Sequence, residues 1–187
     1  MPGLGAAPAG AQTASDADTT QAFPVVASAG GNHLVAVWLE NIGDSSRIRF
    51  ADSTDWGGSW SAPRTLVSAG ASVYPWVAAS GSHVAVSLYH TSASGTSESV
   101  PESAQWFENY LESTDGGTTF SAPQTVDSTA VKSGPICTEG TGCSGDRELL
   151  DFQSVALDGS NLADVAYTRS LDGVSNTELR FAHETTP

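Results

Sequence analysis

The chain's most concentrated chemistry is the run Gly145-Asp146-Arg147-Glu148-Leu149-Leu150-Asp151-Phe152. A guanidinium at Arg147 can grip a carboxylate or hydroxyl group, with Asp146 or Asp151 as its partner. The same spacing also allows an Arg147–Asp151 salt bridge that merely pins the segment. Asp146, Glu148 and Asp151 form an oxygen-rich set that calcium could use, although a full ligand pattern is missing. Elsewhere, Glu108 and Tyr110 alternate with Phe107 and Asn109, so in a strand they share one face. Cys137 and Cys143 stand six apart in C-T-E-G-T-G-C. They read as a local disulfide, worth about 2 kcal/mol by chain entropy, or as two free thiols in a surface loop. No other Cys or His lies nearby at zinc spacing, so no metal site is expected there. His33, His83, His90 and His183 show no ligand spacing. Neither a G-x-S-x-G elbow nor a phosphate-binding glycine loop is present.

Composition narrows the partners. The chain has 187 residues, 39% hydrophobic and 15% charged, with a net charge of −14. Lys132 is its only lysine and the arginines are scattered. Phosphate backbones require clustered Lys and Arg, so no nucleic acid is expected, nor an anionic membrane surface. No apolar stretch is long enough to insert in a membrane. The acidic, lysine-poor composition and the cysteine pair point to an exported, extracellular protein. Residues 1–20 are Ala, Gly, Thr and Asp without a full export signal, and read as a disordered N-terminal tail.

The elements that must position these groups are strands. Three segments share V-A-x-x-G: Val26–Gly30, Val77–Gly81 and Val155–Gly159. Eight positions after each glycine stands an aromatic residue, Trp38, Tyr89 or Tyr167. The intervening runs 34–39, 84–89 and 162–167 are short and almost wholly apolar. Each copy therefore reads as strand, tight turn, strand, with the second strand covered on both faces. Third strands follow at 47–52, 105–112 and 178–183. Arg49-Phe50-Ala51 matches Arg180-Phe181-Ala182. No long helix is expected.

After the third strand two loops repeat nearly verbatim. Ser53-Thr54-Asp55-Trp56-Gly57-Gly58-Ser59-Trp60 precedes Ser61-Ala62-Pro63, and Ser113-Thr114-Asp115-Gly116-Gly117-Thr118-Thr119-Phe120 precedes Ser121-Ala122-Pro123. Asp55 and Asp115 can accept turn amides, Gly57 and Gly117 supply positive φ, and Trp60 and Phe120 can point inward between sheets. The pattern S-T-D-x-G-x-x-[WF]-S-A-P resembles the Asp box, or bacterial neuraminidase repeat, of the sialidase superfamily. The resemblance covers residues 21 to 187. It implies an all-β fold of four-stranded antiparallel β-propeller blades, about 21–70, 71–127 and 150–187, with a disulfide-bearing insertion at 128–149. It also implies that Ser53, Asp55, Gly57, Trp60, Ser113, Asp115, Gly117 and Phe120 are structural.

Sialidases are glycoside hydrolases that use an arginine triad, a tyrosine nucleophile aided by Glu, and an Asp acid. On that analogy Glu108 and Tyr110 are a candidate nucleophile pair, and Asp146 and Asp151 candidate acids. The early R-I-P motif is absent, and the arginines do not assemble into a triad. The expectation is therefore a glycan-directed segment that is not catalytic as this chain alone. The alternative is a non-catalytic carbohydrate-binding, adhesion or scaffold propeller. The distance from Trp38 to Ser53 is 15 residues, but from Tyr89 to Ser113 it is 24. From Pro63 to Val77 it is 14, but from Pro123 to Val155 it is 32. Both insertions fall opposite the boxes, on the face where sialidases bind ligand. The third copy stops where its box would begin, so the expectation is self-association or further blades of a longer chain.

Overall fold

A computed structural model describes residues 23–139, 142–143, 149, 153–170 and 176–185. The expected tail 1–20 and the candidates Asp146, Arg147 and Asp151, with Glu148, lie outside the described residues. The regular structure is all β, in antiparallel sheets. Sheet 1 comprises β1 (Val25–Gly30), β2 (His33–Ile42), β3 (Ser45–Ser53) and β4 (Arg64–Val67), in that spatial order. Sheet 2 runs β5 (Ala71–Ser80), β6 (His83–Thr91), β7 (Gln105–Ser113) and β8 (Gln124–Thr125). A short β9 (Lys132–Ser133) pairs with the start of β7. Sheet 3 comprises β10 (Gln153–Leu157), β11 (Ala163–Ser170) and β12 (Thr177–His183).

The middle strands explain why the sheets stack. β2 and β6 are Val- and Ala-rich and buried for most of their length on both faces, as strands with covers on each side must be. Sheet 1 packs on sheet 2 largely through β5, and β10 packs on β5 and β6. Val35, Val37, Ile48 and Phe50 from sheet 1 and Val84, Val86, Leu88 and Leu111 from sheet 2 share one core with Val155, Val165 and Tyr167 of sheet 3.

Two bulges set the side-chain faces. Pairing of β1 with β2 shifts between Ser28 and Gly30, where the first hairpin holds one residue more than the second. Trp38 therefore pairs opposite Arg49 while Tyr89 pairs opposite Glu108, four and five residues from strand positions Leu34 and Val84 that each pair with the loop serine. A one-residue offset turns a side chain to the other face. Trp38 thus lies on the face of sheet 1 turned away from sheet 2, whereas Tyr89 faces sheet 3. This corrects the expected equivalence of Trp38 and Tyr89; Tyr167, opposite Arg180, does match Trp38. The second bulge, at Val73–Trp76, holds Tyr74 at φ 52 before Pro75. Pro75, which has no amide to give the ladder, sits at a bulge of an edge strand, where it is tolerated.

Cys137 and Cys143 form a disulfide. Thiol titration of the denatured, unreduced protein should accordingly find no free thiol; two per chain would contradict the bond. The disulfide is compatible with an oxidising, extracellular setting. Among the described residues, no helix is long and apolar enough to cross a membrane.

Candidate functional site

The two repeated loops are built alike, atom for atom. Ser53 Oγ donates to Asp55 Oδ1 (2.8 Å) and accepts the Gly57 amide (2.8 Å). Ser59 donates its amide to Asp55 Oδ1 (2.8 Å) and its hydroxyl to Oδ2 (2.7 Å). In the second loop Ser113 Oγ donates to Asp115 Oδ1 (2.7 Å) and accepts the Gly117 amide (2.8 Å). Thr119 donates its amide (2.8 Å) and hydroxyl (2.7 Å) to Asp115. Gly57 and Gly117 have φ of 83° and 86°, a region that glycine enters without steric cost. Each loop is tied to the hairpin beside it, through the Trp56 amide to Asn32 O (3.1 Å) and the Gly116 amide to Ser82 O (2.8 Å).

These bonds set the acidity of both aspartates. Hydrogen bonds from the Ser59 hydroxyl and amide, then Ser53, hold the Asp55 carboxyl at about 2. For Asp115 the Thr119 amide leads, then its hydroxyl and Ser113, again giving about 2. A carboxyl depressed below its ordinary 3.8 stabilises the fold above that pH and loses the contribution as pH falls through about 2. Asp115→Ala should therefore lower the melting midpoint at neutral pH. The gap from the wild type should close below about pH 2, as circular dichroism melts across pH would show. A gap unchanged by acid would disprove the carboxylate's role.

The loop aromatics differ in surroundings. Phe120 meets Phe50 edge-on at 5.1 Å, across the boundary between sheets 1 and 2. Arg64 lies 5.0 Å over the same Phe50 ring and donates to the Gly117 and Thr118 carbonyls. Trp60 does not point inward between sheets as expected. It is half-buried on Ala36, Trp38 and Ala51, on the face of sheet 1 away from sheet 2.

Glu108 and Tyr110 share a face of β7, toward sheet 3, yet they are not joined. The Tyr110 hydroxyl donates to Glu112 Oε2 (3.0 Å) and Glu184 Oε2 (3.4 Å). Glu108 instead pairs across strands with Tyr89. Glu108 is fully buried, and neither of its carboxyl oxygens has a hydrogen-bond partner. Ser87 Oγ and both polar atoms of the buried Gln153 side chain are in the same condition. Burial pushes the Glu108 carboxyl well above its ordinary value, which favours the neutral acid. Burial, and then Glu108, raise the Tyr89 phenol; burial, then Glu112 and Glu184, raise that of Tyr110. Sequence reasoning missed Glu184, which stands where Ser53 and Ser113 stand in the other copies, and Gln153.

The described parts of the two insertions lie together at the Gln105 end of β7, the end opposite the Ser113 loop. The Ile136 amide donates to Ser97 O (2.7 Å) and the Gly134 amide to Ala104 O (2.8 Å). Thr138 donates its amide (2.8 Å) and hydroxyl (2.9 Å) to Glu98. Buried Trp106 donates Nε1–H to Gly134 O at 2.8 Å. The cysteine pair at 137 and 143 closes this platform. Among the described arginines, Arg49 pairs with Glu40 (3.4 Å), whereas Arg169 (3.4 Å) and Arg180 (3.3 Å) share Glu178, and Arg180 also reaches Asp127 (3.1 Å). His90 lies by Ser72 (3.0 Å) and His183 by Asp164 (2.8 Å). Among the described residues no three His, Cys, Asp or Glu side chains gather to hold a metal ion.

No family model matches the chain, and no curated protein matches it. Among solved structures it is similar to the Hadza microbial sialidase Hz136, with a TM-score of 0.49 and 13% identity over 78% of this chain and 32% of that one. The chain thus spans about a third of that neighbour's length. The likeness is distant and structural: an all-β chain of antiparallel sheets beside a sialidase.

Proposed function

We propose that the chain is a secreted, glycan-directed segment of a sialidase-like propeller, its sheets being blades and its paired loops Asp boxes. The observation that carries this reading is the shared hydrogen-bond set of the two S-T-D-x-G loops, each closing the turn after a third strand. The blades would run about 21–70, 71–127 and 150–187, with the insertion 128–149 on the ligand face. Two further features support a binding role without turnover. Glu108 is sealed and unpaired, and Tyr110 hydrogen-bonds to other carboxylates, so the two do not form an activated phenol. Among the described residues, Arg49 is held by Glu40, and Arg169 and Arg180 are both held by Glu178.

Ligand contact is assigned to Arg147, since an acidic chain of net charge −14 needs a local guanidinium to hold an anionic sugar. The test is a sialylated-glycan array read beside a thermal melt and a fluorogenic sialoside assay. Binding by the wild type, lost in Arg147→Ala with an unchanged melt and no turnover in either, is the expected result. A lowered melt with no glycan bound would assign Arg147 to structure. Turnover would restore the hydrolase reading.

A further inference from the structure

The strand β12 is apolar on the wrong side for a finished surface. Leu179 is 76% exposed and Phe181 68%, on the face of sheet 3 turned away from sheet 2. Their counterparts in sheet 1 show what such a face normally meets. Phe50 stands in Arg49-Phe50-Ala51 and pairs with Val37; Phe181 stands in Arg180-Phe181-Ala182 and pairs with Ala166. Phe50 is fully buried because the next sheet's loop covers it. Phe120 meets it edge-on at 5.1 Å, and the Gly117 backbone lies so close that an added Cβ would fall 2.5 Å from the ring.

The other end of the stack carries the complementary part. Trp60 holds the place of Phe120. Each aromatic precedes Ser-Ala-Pro, and the serine amide after it donates to the third strand, Ser61 to Asp52 O and Ser121 to Glu112 O, both at 2.8 Å. Phe120 has a preceding sheet to cover. Trp60 faces outward, half-buried on its own sheet over Trp38, Ala36 and Ala51.

We propose that these two faces bind each other between two copies of the chain, Trp60 of one on Phe181 of the other, as Phe120 lies on Phe50. The occupant is argued from the internal interface: each end presents one half of a contact already made within the chain. A head-to-tail contact extends indefinitely unless its rotation closes. Two copies of three sheets fall within the roughly four to eight at which radially packed sheets close, so the expected species is a dimer with two equal contacts. Each copy carries a net charge of −14, so repulsion opposes association and added salt should strengthen it. The closure at six sheets rests on the proposal that the sheets are blades; the contact itself does not depend on the glycan reading.

Sedimentation velocity on the whole chain across micromolar concentrations should show a dimer that tightens with salt. Phe181→Asp, at an exposed site that leaves the melt of the dilute protein unchanged, should abolish it. For orientation, a short bifunctional thiol reagent should link copies of the unreduced double variant Trp60→Cys/Phe181→Cys, but not of either single variant. A monomer at every concentration would overturn the proposal and leave both faces to another occupant. So would a dimer indifferent to Phe181→Asp, or cross-linking of a single variant, which would mean like ends meet.

Discussion

Glu108→Gln is expected to flatten the pH dependence of stability above about pH 4.5, the ordinary value of the Glu108 carboxyl. The group is sealed between sheets 2 and 3 with both oxygens unpartnered, so folding favours its protonated form. A carboxyl whose folded value is raised contributes fully at pH below its unfolded value. That contribution is lost as pH climbs toward the folded value, because the folded state alone keeps the proton. The slope in that window is about 1.4 kcal/mol per pH unit. The amide has no proton to lose. The variant should therefore be more stable than the wild type at neutral pH and converge with it near pH 4.5. Urea unfolding at a series of pH values measures the difference directly, and other titrating groups cancel in it. Glu108→Leu should behave similarly, since removing an unpaired buried polar group for an apolar one of like size is often stabilising. Parallel curves for wild type and Glu108→Gln from pH 5 to 8 would mean that the carboxyl has a partner or access to water.

The second large effect separates two phenylalanines of one repeat position. Phe50→Ala should cost about 3–5 kcal/mol, the range for truncating a core aromatic. The ring is fully buried, and its loss leaves a cavity under Phe120, Arg64 and the Gly117 backbone. Phe181→Ala, at the matching place in sheet 3, should cost little in dilute protein, because the ring is 68% exposed there. Its penalty should grow with protein concentration if copies meet through that face. Denaturant midpoints for both variants decide the matter. Equal losses in dilute protein would mean that sheet 3 is covered within a single chain.

That contrast marks where local sequence stops being informative. The strands, their order within each sheet and the two loops were legible because their causes are local. Short Val- and Ala-rich apolar runs bounded by glycine turns, glycine at positive φ and Ser/Asp accepting turn amides act within a few residues. The cysteine pair was legible for the same reason, since its partners lie six residues apart.

What only the tertiary structure decided is which neighbour each face meets. The bulge at Ser28–Gly30 shifts one hairpin by a residue, so Trp38 and Tyr89, equally spaced from a glycine, face opposite ways. Glu108 and Tyr110 stood two apart in a strand and looked like a reactive pair. Packing sealed the first against sheet 3 and gave the second to Glu112 and Glu184, the latter 74 residues away. Phe50 and Phe181 sit in the same tripeptide, yet one is core and the other surface. A strand's own residues set the period of its side chains; the burial of each face depends on a sheet distant in sequence, and that is a property of the assembled fold.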